Sequence, residues 1–136
     1  MLTLFYAGAL TLLALILAFK TVQRRLGSEI LLGTGDNFEL LQAHRAHGNL
    51  IEYAVFFLIL TGLMEVSGQF SNMTIGILGD IFVLSRIAHA YGILQAESKS
   101  MFRTVGAVSS MLVLAIQAFL ALWVSITWLA ANNWGF

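Results

Sequence analysis

The chain has 136 residues, of which 59% are hydrophobic and only 10% are charged, whereas an ordinary soluble domain carries about 25% charged residues. Seven basic and seven acidic side chains cannot cover a water-soluble fold, and a formal net charge of zero gives no field that would attract nucleic acid. The absence of cysteine excludes disulfides and thiolate metal sites. The composition and the mean hydropathy of +0.86 predict one membrane-embedded domain over residues 1–136, surrounded by lipid.

Four long apolar segments follow one another along the chain. They predict spans of approximately 1–22, 37–66, 72–94 and 103–130. A helix needs about 20 residues to cross a hydrocarbon core of roughly 30 Å, so each segment is long enough. Runs such as residues 10–17 lack the strict alternation of a transmembrane β-strand. The predicted fold class is therefore all-α, an integral membrane four-helix bundle.

The distribution of basic residues predicts the topology. No positive charge precedes the first segment and several follow it, which is the reverse of a cleaved signal peptide, so we expect a retained first span. All Lys and Arg residues lie at or near the first or the third connection: Lys20, Arg24, Arg25, Arg45, Arg86, Lys99 and Arg103. By the positive-inside rule these connections face the cytoplasm and both termini lie outside.

Short polar residues predict where the helices begin. Gly33 and Gly35 interrupt the chain, and Asp36 is then a plausible N-cap whose capping box is completed by Glu39. Candidate caps of the third and fourth helices are Ser71 or Asn72, and Ser98 or Ser100.

A polar stripe marks the second helix. Arg45, Asn49 and Glu52 are spaced i, i+4, i+7 and therefore share one helical face. Counting the helical rise from the end of each helix places Glu52 about 22 Å and Arg86 of the third helix about 21 Å from the outer boundary. The two helices thus direct an acid and a base to one level, close to the cytoplasmic side.

The stripe also has a purely structural interpretation, because ionisable groups near helix ends can reach the interface and a Glu–Arg pair can join two helices. The whole set exceeds what packing requires: Arg45, Asn49, Glu52, Arg86, His89 and Arg103. His44 and His47 lie off the stripe and are expected at the interface or facing lipid. Their H-x-x-H spacing is not the i, i+4 geometry of a zinc protease, and no metal site is predicted.

The stripe predicts a ligand of mixed charge. Guanidinium groups suit carboxylates, and a single carboxylate suits an ammonium group, so a small zwitterion with excess negative charge matches the set. A lipophilic co-substrate could reach the site through the bilayer. Asp80 has no basic partner at its own depth, and we expect it to be protonated or hydrogen-bonded to Ser, Thr or Asn of a neighbouring helix.

Two segments resemble the MAPEG family, the membrane-associated proteins in eicosanoid and glutathione metabolism. Residues 45–52, RAHGNLIE, resemble the family signature R-A-x-x-N-x-x-E, and residues 86–89, RIAH, resemble its third-helix segment R-x-x-H. Arg103 falls where the family carries its catalytic arginine. Length and topology match along essentially the whole chain, and the likeness is greatest to short bacterial members, which implies the bacterial inner membrane.

The resemblance implies a homotrimer with glutathione, as co-substrate, bound between subunits near the cytoplasmic side. Arg103 would be catalytic, and six residues would bind glutathione: Arg45, Asn49, Glu52, Arg86, His89 and Tyr91. Three positions depart from the family pattern. Gly48 replaces a frequent second arginine, Val55 replaces a frequent proline, and Tyr91 follows His89 by two residues, whereas the eicosanoid enzymes have a spacing of four.

Two classes of function remain open. The first is a glutathione transferase or peroxidase that acts on lipophilic electrophiles. The second is a non-catalytic membrane protein in which the polar stripe serves trimer assembly or ligand sensing. Arg103 distinguishes them, because thiol activation needs this charge and trimer packing does not.

Overall fold

The computed structural model describes residues 1–95 and 100–135, which form four long helices and a short final turn. The helices α1 to α4 cover Leu2–Ser28, Phe38–Ser67, Asn72–Ile93 and Met101–Ala131, and a 3₁₀ turn follows at Asn133–Gly135. Each of the four is long and apolar enough to cross a membrane. The all-α prediction with four membrane-spanning helices is confirmed, and α1 continues beyond the predicted end at residue 22.

The first two helices form an antiparallel pair that is joined at both ends. At one end the Glu65 carboxylate of α2 contacts the amino group of Met1 and accepts backbone N–H bonds from Leu2 (2.8 Å) and Thr3 (2.9 Å). These bonds satisfy N–H groups that have no partner within a helix's first turn. At the other end, Arg24 of α1 contacts Glu39 of α2.

The start of α2 differs from the predicted capping box. The N-cap is Asn37, whose Oδ1 accepts the backbone N–H of Leu40 at 2.9 Å, and not Asp36. Glu39 is consequently the second helical residue, where its side chain cannot return to the cap, and it pairs with Arg24. The prediction of Asp36 and Glu39 as a capping box was wrong by one residue.

The predicted N-caps of α3 and α4 are confirmed in part. Ser71 caps α3 by accepting the backbone N–H of Thr74 at 3.0 Å, as one of the two predicted candidates. Ser100 occupies the N-cap position of α4 without a side-chain cap bond. Ser98, the alternative cap, lies outside the described residues, as does Lys99.

The third helix lies at the centre of the bundle. In the most apolar window of each helix, 44% of residues are buried in α3 but only 17% in α1. Phe57 of α2 and Phe82 of α3, both fully buried, stack with their ring centroids 3.9 Å apart. Most large apolar side chains of α1 and α4 remain on the outer surface, as expected for helices that face lipid or another chain.

Asp80 has a partner that the sequence analysis did not predict. The Tyr6 hydroxyl of α1 lies 2.9 Å from Asp80 Oδ1 and 2.8 Å from the Gly76 carbonyl oxygen. The partner is therefore a tyrosine of a neighbouring helix, where Ser, Thr or Asn was expected. Gly79 permits this contact, because a Cβ at Gly79 would lie only 2.1 Å from the Tyr6 ring.

Candidate functional site

A cleft of about 570 Å³ opens at the end of the bundle that carries the α1–α2 and α3–α4 connections. This volume lies within the range of roughly 300–1,000 Å³ that is typical of small-molecule sites. Its walls come from the first half of α2, the last turns of α3 and the first turn of α4. The lining residues are Phe38, Leu41, Gln42, His44, Arg45, Gly48, Asn49, Glu52, His89, Gly92, Ile93 and Arg103.

The α2 wall carries the predicted polar stripe. Arg45, Asn49 and Glu52 all line the cleft; Arg45 and Glu52 are exposed and Asn49 is half-buried. His44 lines it as well, although it lies off the stripe. Adjacent residues on a helix differ by about 100° in direction, and an opening as wide as this one accepts both. His47, by contrast, lies in a separate groove between α1 and α2.

Close backbone packing of α3 against α4 forms the opposite wall. A Cβ at Gly92 would lie 2.3 Å from the backbone nitrogen of Arg103, and a Cβ at Gly106 would lie 2.5 Å from the Ser85 carbonyl oxygen. Only glycine at these two positions allows the helices to approach so closely. The result places Arg103, at the start of α4, directly beside the last turns of α3.

His89 connects the same two helices. Its Nδ1 lies 2.8 Å from the Arg103 carbonyl oxygen, and its side chain is 6% exposed while still lining the cleft. Because a carbonyl oxygen only accepts hydrogen bonds, Nδ1 carries the proton. His89 therefore holds the backbone of Arg103 in place.

Arg86 is buried behind the cleft and is not one of the residues that line it. Its guanidinium donates to Asn49 Oδ1 at 2.9 Å and to Ser110 Oγ at 3.1 Å, and lies over the Tyr53 ring, 4.7 Å from the centroid. The ion pairs within residues 1–95 and 100–135 do not include a Glu52–Arg86 pair. The helical rise places Glu52 and Arg86 at similar depths. The rotation of α2 about its own axis, however, directs Glu52 into the opening and Asn49 toward Arg86.

Tyr91 lies outside the lining of the cleft. Its side chain is 54% exposed, and its ring meets Phe102 of α4 edge to face with the centroids 5.5 Å apart. Within one chain, the structure thus brings Arg45, Asn49, Glu52, His89 and Arg103 together around one volume and leaves Arg86 and Tyr91 outside it.

Comparison with known proteins identifies the chain. The model of the MAPEG family matches residues 3–123. The chain belongs to the MAPEG family. Two similar proteins are both called "Inner membrane protein YecN", one from Escherichia coli strain K12 and one from Escherichia coli O6:H1 strain CFT073. Each is 33% identical over 92 residues, which cover 68% of this chain and 70% of the relative.

In this MAPEG chain, the cleft combines fixed positive charge with a carboxylate. Arg45 and Arg103 line it, Glu52 is the one acidic residue among the described residues that line it, and Arg86 adds a buried positive charge behind Asn49. Guanidinium groups bind carboxylates through paired N–H donors, whereas a carboxylate accepts from ammonium. The arrangement suits a small zwitterion with excess negative charge.

Sequence reasoning missed the apolar part of the lining and the surroundings of Arg86. Phe38, Leu41 and Ile93 look like any apolar residue of a membrane helix, so no signal distinguishes them. Gly92 had a usable signal, since small residues mark close helix contacts in membranes. Ser110 of α4 is a fully buried hydroxyl, but only the assembled bundle shows that it faces Arg86.

Proposed function

We propose that the protein is a membrane-bound, glutathione-dependent transferase or peroxidase that acts on lipophilic electrophiles, with glutathione bound in the cleft as co-substrate. The observation that carries the proposal is the convergence of Arg45, Asn49 and Glu52 from α2 with His89 from α3 and Arg103 from α4. Membership of the MAPEG family, whose members act in glutathione and eicosanoid metabolism, supports it.

Each polar group of the cleft has a role in this proposal. Arg45 pairs with a carboxylate of glutathione, and Glu52 accepts its ammonium group. Arg103 stabilises the thiolate, because a permanent cation close to a thiol favours its ionised form. The first turn of α4 adds the positive end of the helix dipole, which also favours an anion.

The same proposal includes the assembly and the location. We propose a homotrimer in the bacterial inner membrane, with glutathione bound between subunits on the cytoplasmic side and both termini on the periplasmic side. The extensive apolar outer surface of the helices suits contact with lipid and with further copies of the chain. Two relatives are named as inner membrane proteins, which supports the location.

A binding and turnover experiment tests the proposal. Detergent-solubilised protein is titrated with glutathione while its melting temperature is recorded, and turnover is measured with chlorodinitrobenzene. Glutathione at a hundred times its dissociation constant stabilises the folded state by about 2.7 kcal/mol, which raises the melting temperature. Arg45→Ala removes a charge-assisted bond worth about 1.5–3 kcal/mol, so binding weakens roughly ten-fold to more than a hundred-fold.

Arg24→Ala is the matched control, because Arg24 is an exposed arginine of α1 that does not line the cleft. It should leave glutathione binding unchanged. Binding without turnover would favour the ligand-sensing alternative over an enzyme. No stabilisation of the wild type by glutathione would refute the proposed ligand.

A further inference from the structure

We infer that Arg86 is a positioning residue that holds the Asn49 side-chain amide with its NH₂ group toward the cleft, so that Asn49 donates a hydrogen bond to an acceptor oxygen of the bound ligand. The inference rests on the proposed glutathione site and specifies its chemistry. Arg86 then acts on the ligand through Asn49 and does not touch it.

The guanidinium of Arg86 is held from several sides. Arg86 is 1% exposed, and it donates to Asn49 Oδ1 (2.9 Å) and to Ser110 Oγ (3.1 Å) while lying over the Tyr53 ring. The Ser110 hydroxyl lies 2.8 Å from the Gly106 carbonyl oxygen of its own helix, so it donates there and accepts from Arg86. These contacts fix the position of the guanidinium relative to Asn49.

The chemistry of the pair determines the orientation of the amide. A guanidinium has five N–H donors and no acceptor, so the carbonyl oxygen of Asn49, and not its NH₂ group, must face Arg86. Asn49 also lines the cleft. Among residues 1–95 and 100–135, Asn49 Nδ2 donates no hydrogen bond. The NH₂ group is therefore available to a ligand in the cleft.

The charge of Arg86 strengthens this donor. Within the described residues no carboxylate forms an ion pair with Arg86, and its Nε is buried without a hydrogen-bond partner. The guanidinium polarises the Asn49 amide, because hydrogen bonds in a low-dielectric interior reinforce one another along a chain. The group that Asn49 binds is consequently a carboxylate or peptide carbonyl oxygen, whereas Glu52 accepts from an ammonium group.

A double-mutant cycle tests the inference. Arg86→Lys keeps the charge but loses the planar fork, so the Asn49 amide is held less firmly and glutathione binds about two- to ten-fold more weakly. Asn49→Ala removes the donor and weakens binding by about ten-fold or more. In the Asn49→Ala background, Arg86→Lys should cause no further loss, because Arg86 acts only through Asn49.

The matched control is Arg24→Lys, which should leave binding unchanged in both backgrounds because Arg24 lies outside the cleft. Equal losses from Arg86→Lys with and without Asn49 would overturn the inference, since Arg86 would then contact glutathione directly. Wild-type protein that does not bind glutathione would instead refute the proposed function, so the two failures are distinguishable.

Asn49→Asp gives a second, independent readout. The new carboxylate forms a charge-assisted pair with Arg86, so the melting temperature of the ligand-free protein should rise, while glutathione binding weakens at least ten-fold because the donor is lost. Asn72→Asp, the same change at the exposed start of α3, is the control for glutathione binding and should leave it unchanged. Unchanged glutathione affinity in Asn49→Asp would overturn the inference.

Discussion

Single residues of the cleft differ in how firmly their surroundings hold them. Arg86 and His89 are buried and bonded to other helices, whereas Arg45 and Glu52 are exposed on the open side of α2. Buried, bonded groups preserve geometry, and exposed charged groups can adjust to a ligand. In the proposed function the chemistry takes place at Arg103, which lines the cleft and whose backbone is fixed by His89.

Arg103→Leu should reduce turnover with chlorodinitrobenzene at least ten-fold while glutathione still binds, because the lost charge acts mainly on the reacting thiolate. An ordinary cysteine thiol has a pKa of about 8.5, so little thiolate exists at neutral pH without a nearby cation. The ultraviolet absorbance of bound thiolate is followed against pH, and the midpoint of this titration should rise toward that value in the variant.

Arg103→Lys should keep part of the activity, since it retains the charge but not the planar fork. Arg24→Leu, the same change at an arginine outside the cleft, should behave as wild type. An identical titration midpoint in wild type and Arg103→Leu would remove Arg103 from the role of thiolate stabiliser.

Glu52→Gln should weaken glutathione binding and leave turnover at saturating glutathione nearly unchanged. Among residues 1–95 and 100–135, the substitution removes the only carboxylate that lines the cleft, so a bound ammonium group loses its charged acceptor. Isothermal titration should show about ten-fold weaker binding. Asp36→Asn, a matched change at an exposed carboxylate outside the cleft, should have no effect, and equal effects of both would contradict the assignment.

At the scale of helices, two kinds of contact position the site. Glycine allows α3 and α4 to touch through their backbones at the cleft, and a buried polar pair joins α2 and α4 away from it. In that pair Gln117 Nε2 donates to Thr61 Oγ1 at 2.8 Å. Both side chains are 1% exposed, and Gln117 Oε1 is buried without a partner in the described residues.

Gly92→Ala should reduce turnover and the melting temperature together. The added methyl group would lie 2.3 Å from the Arg103 backbone nitrogen, so α4 must move away from α3 and carry Arg103 out of position. Overpacking of this kind costs about 1–3 kcal/mol. Gly8→Ala is the control, because no atom lies within 4 Å of its new Cβ. A fully active Gly92→Ala variant would show that this contact does not position Arg103.

Thr61→Val should destabilise the protein more than Gln117→Leu does. Valine leaves the buried Gln117 amide with no partner on either atom, whereas leucine removes the whole amide, including the oxygen that is already unpaired. The double variant should recover most of the loss, since both polar groups are then gone. Thermal unfolding in detergent measures the three values, and a double variant less stable than Thr61→Val would contradict the argument.

At the scale of the whole molecule, one chain leaves much of its apolar surface uncovered. Only 17% of the most apolar window of α1 and 22% of that of α4 are buried, whereas lipid tails or other copies can cover the rest. The cleft is also open on the side of α2 where Arg45 and Glu52 are exposed. A second subunit on that side would complete the enclosure of a small ligand.

Under the proposed assembly, the solubilised protein should be a trimer of the 14.9 kDa chain. Light scattering coupled to size-exclusion chromatography, corrected for bound detergent, measures the protein mass. Glutathione bound between subunits should also shift dissociation of the trimer to higher temperature, because a ligand stabilises the state that binds it. A single-chain mass at all detergent concentrations would contradict the proposed assembly.

Much of the fold and part of the site could be predicted from the sequence pattern within single segments. Hydropathy and length indicated four membrane-spanning helices, and these are present. Helical periodicity placed Arg45, Asn49 and Glu52 on one face, and all three line the cleft. Both results depend on local geometry, namely 1.5 Å of rise and about 100° of rotation per residue, which hardly varies between α-helices.

The tertiary structure alone decided which side chains meet across helices. Arg86 and Glu52 lie at matched depths, yet Arg86 bonds Asn49 and Ser110; Asp80 meets Tyr6 because Gly79 leaves room for its ring. Such contacts depend on the rotation of each helix about its axis and on its distance from its neighbour. Those two quantities follow from how small and large side chains interlock between helices, and helical periodicity within one segment contains no information about them.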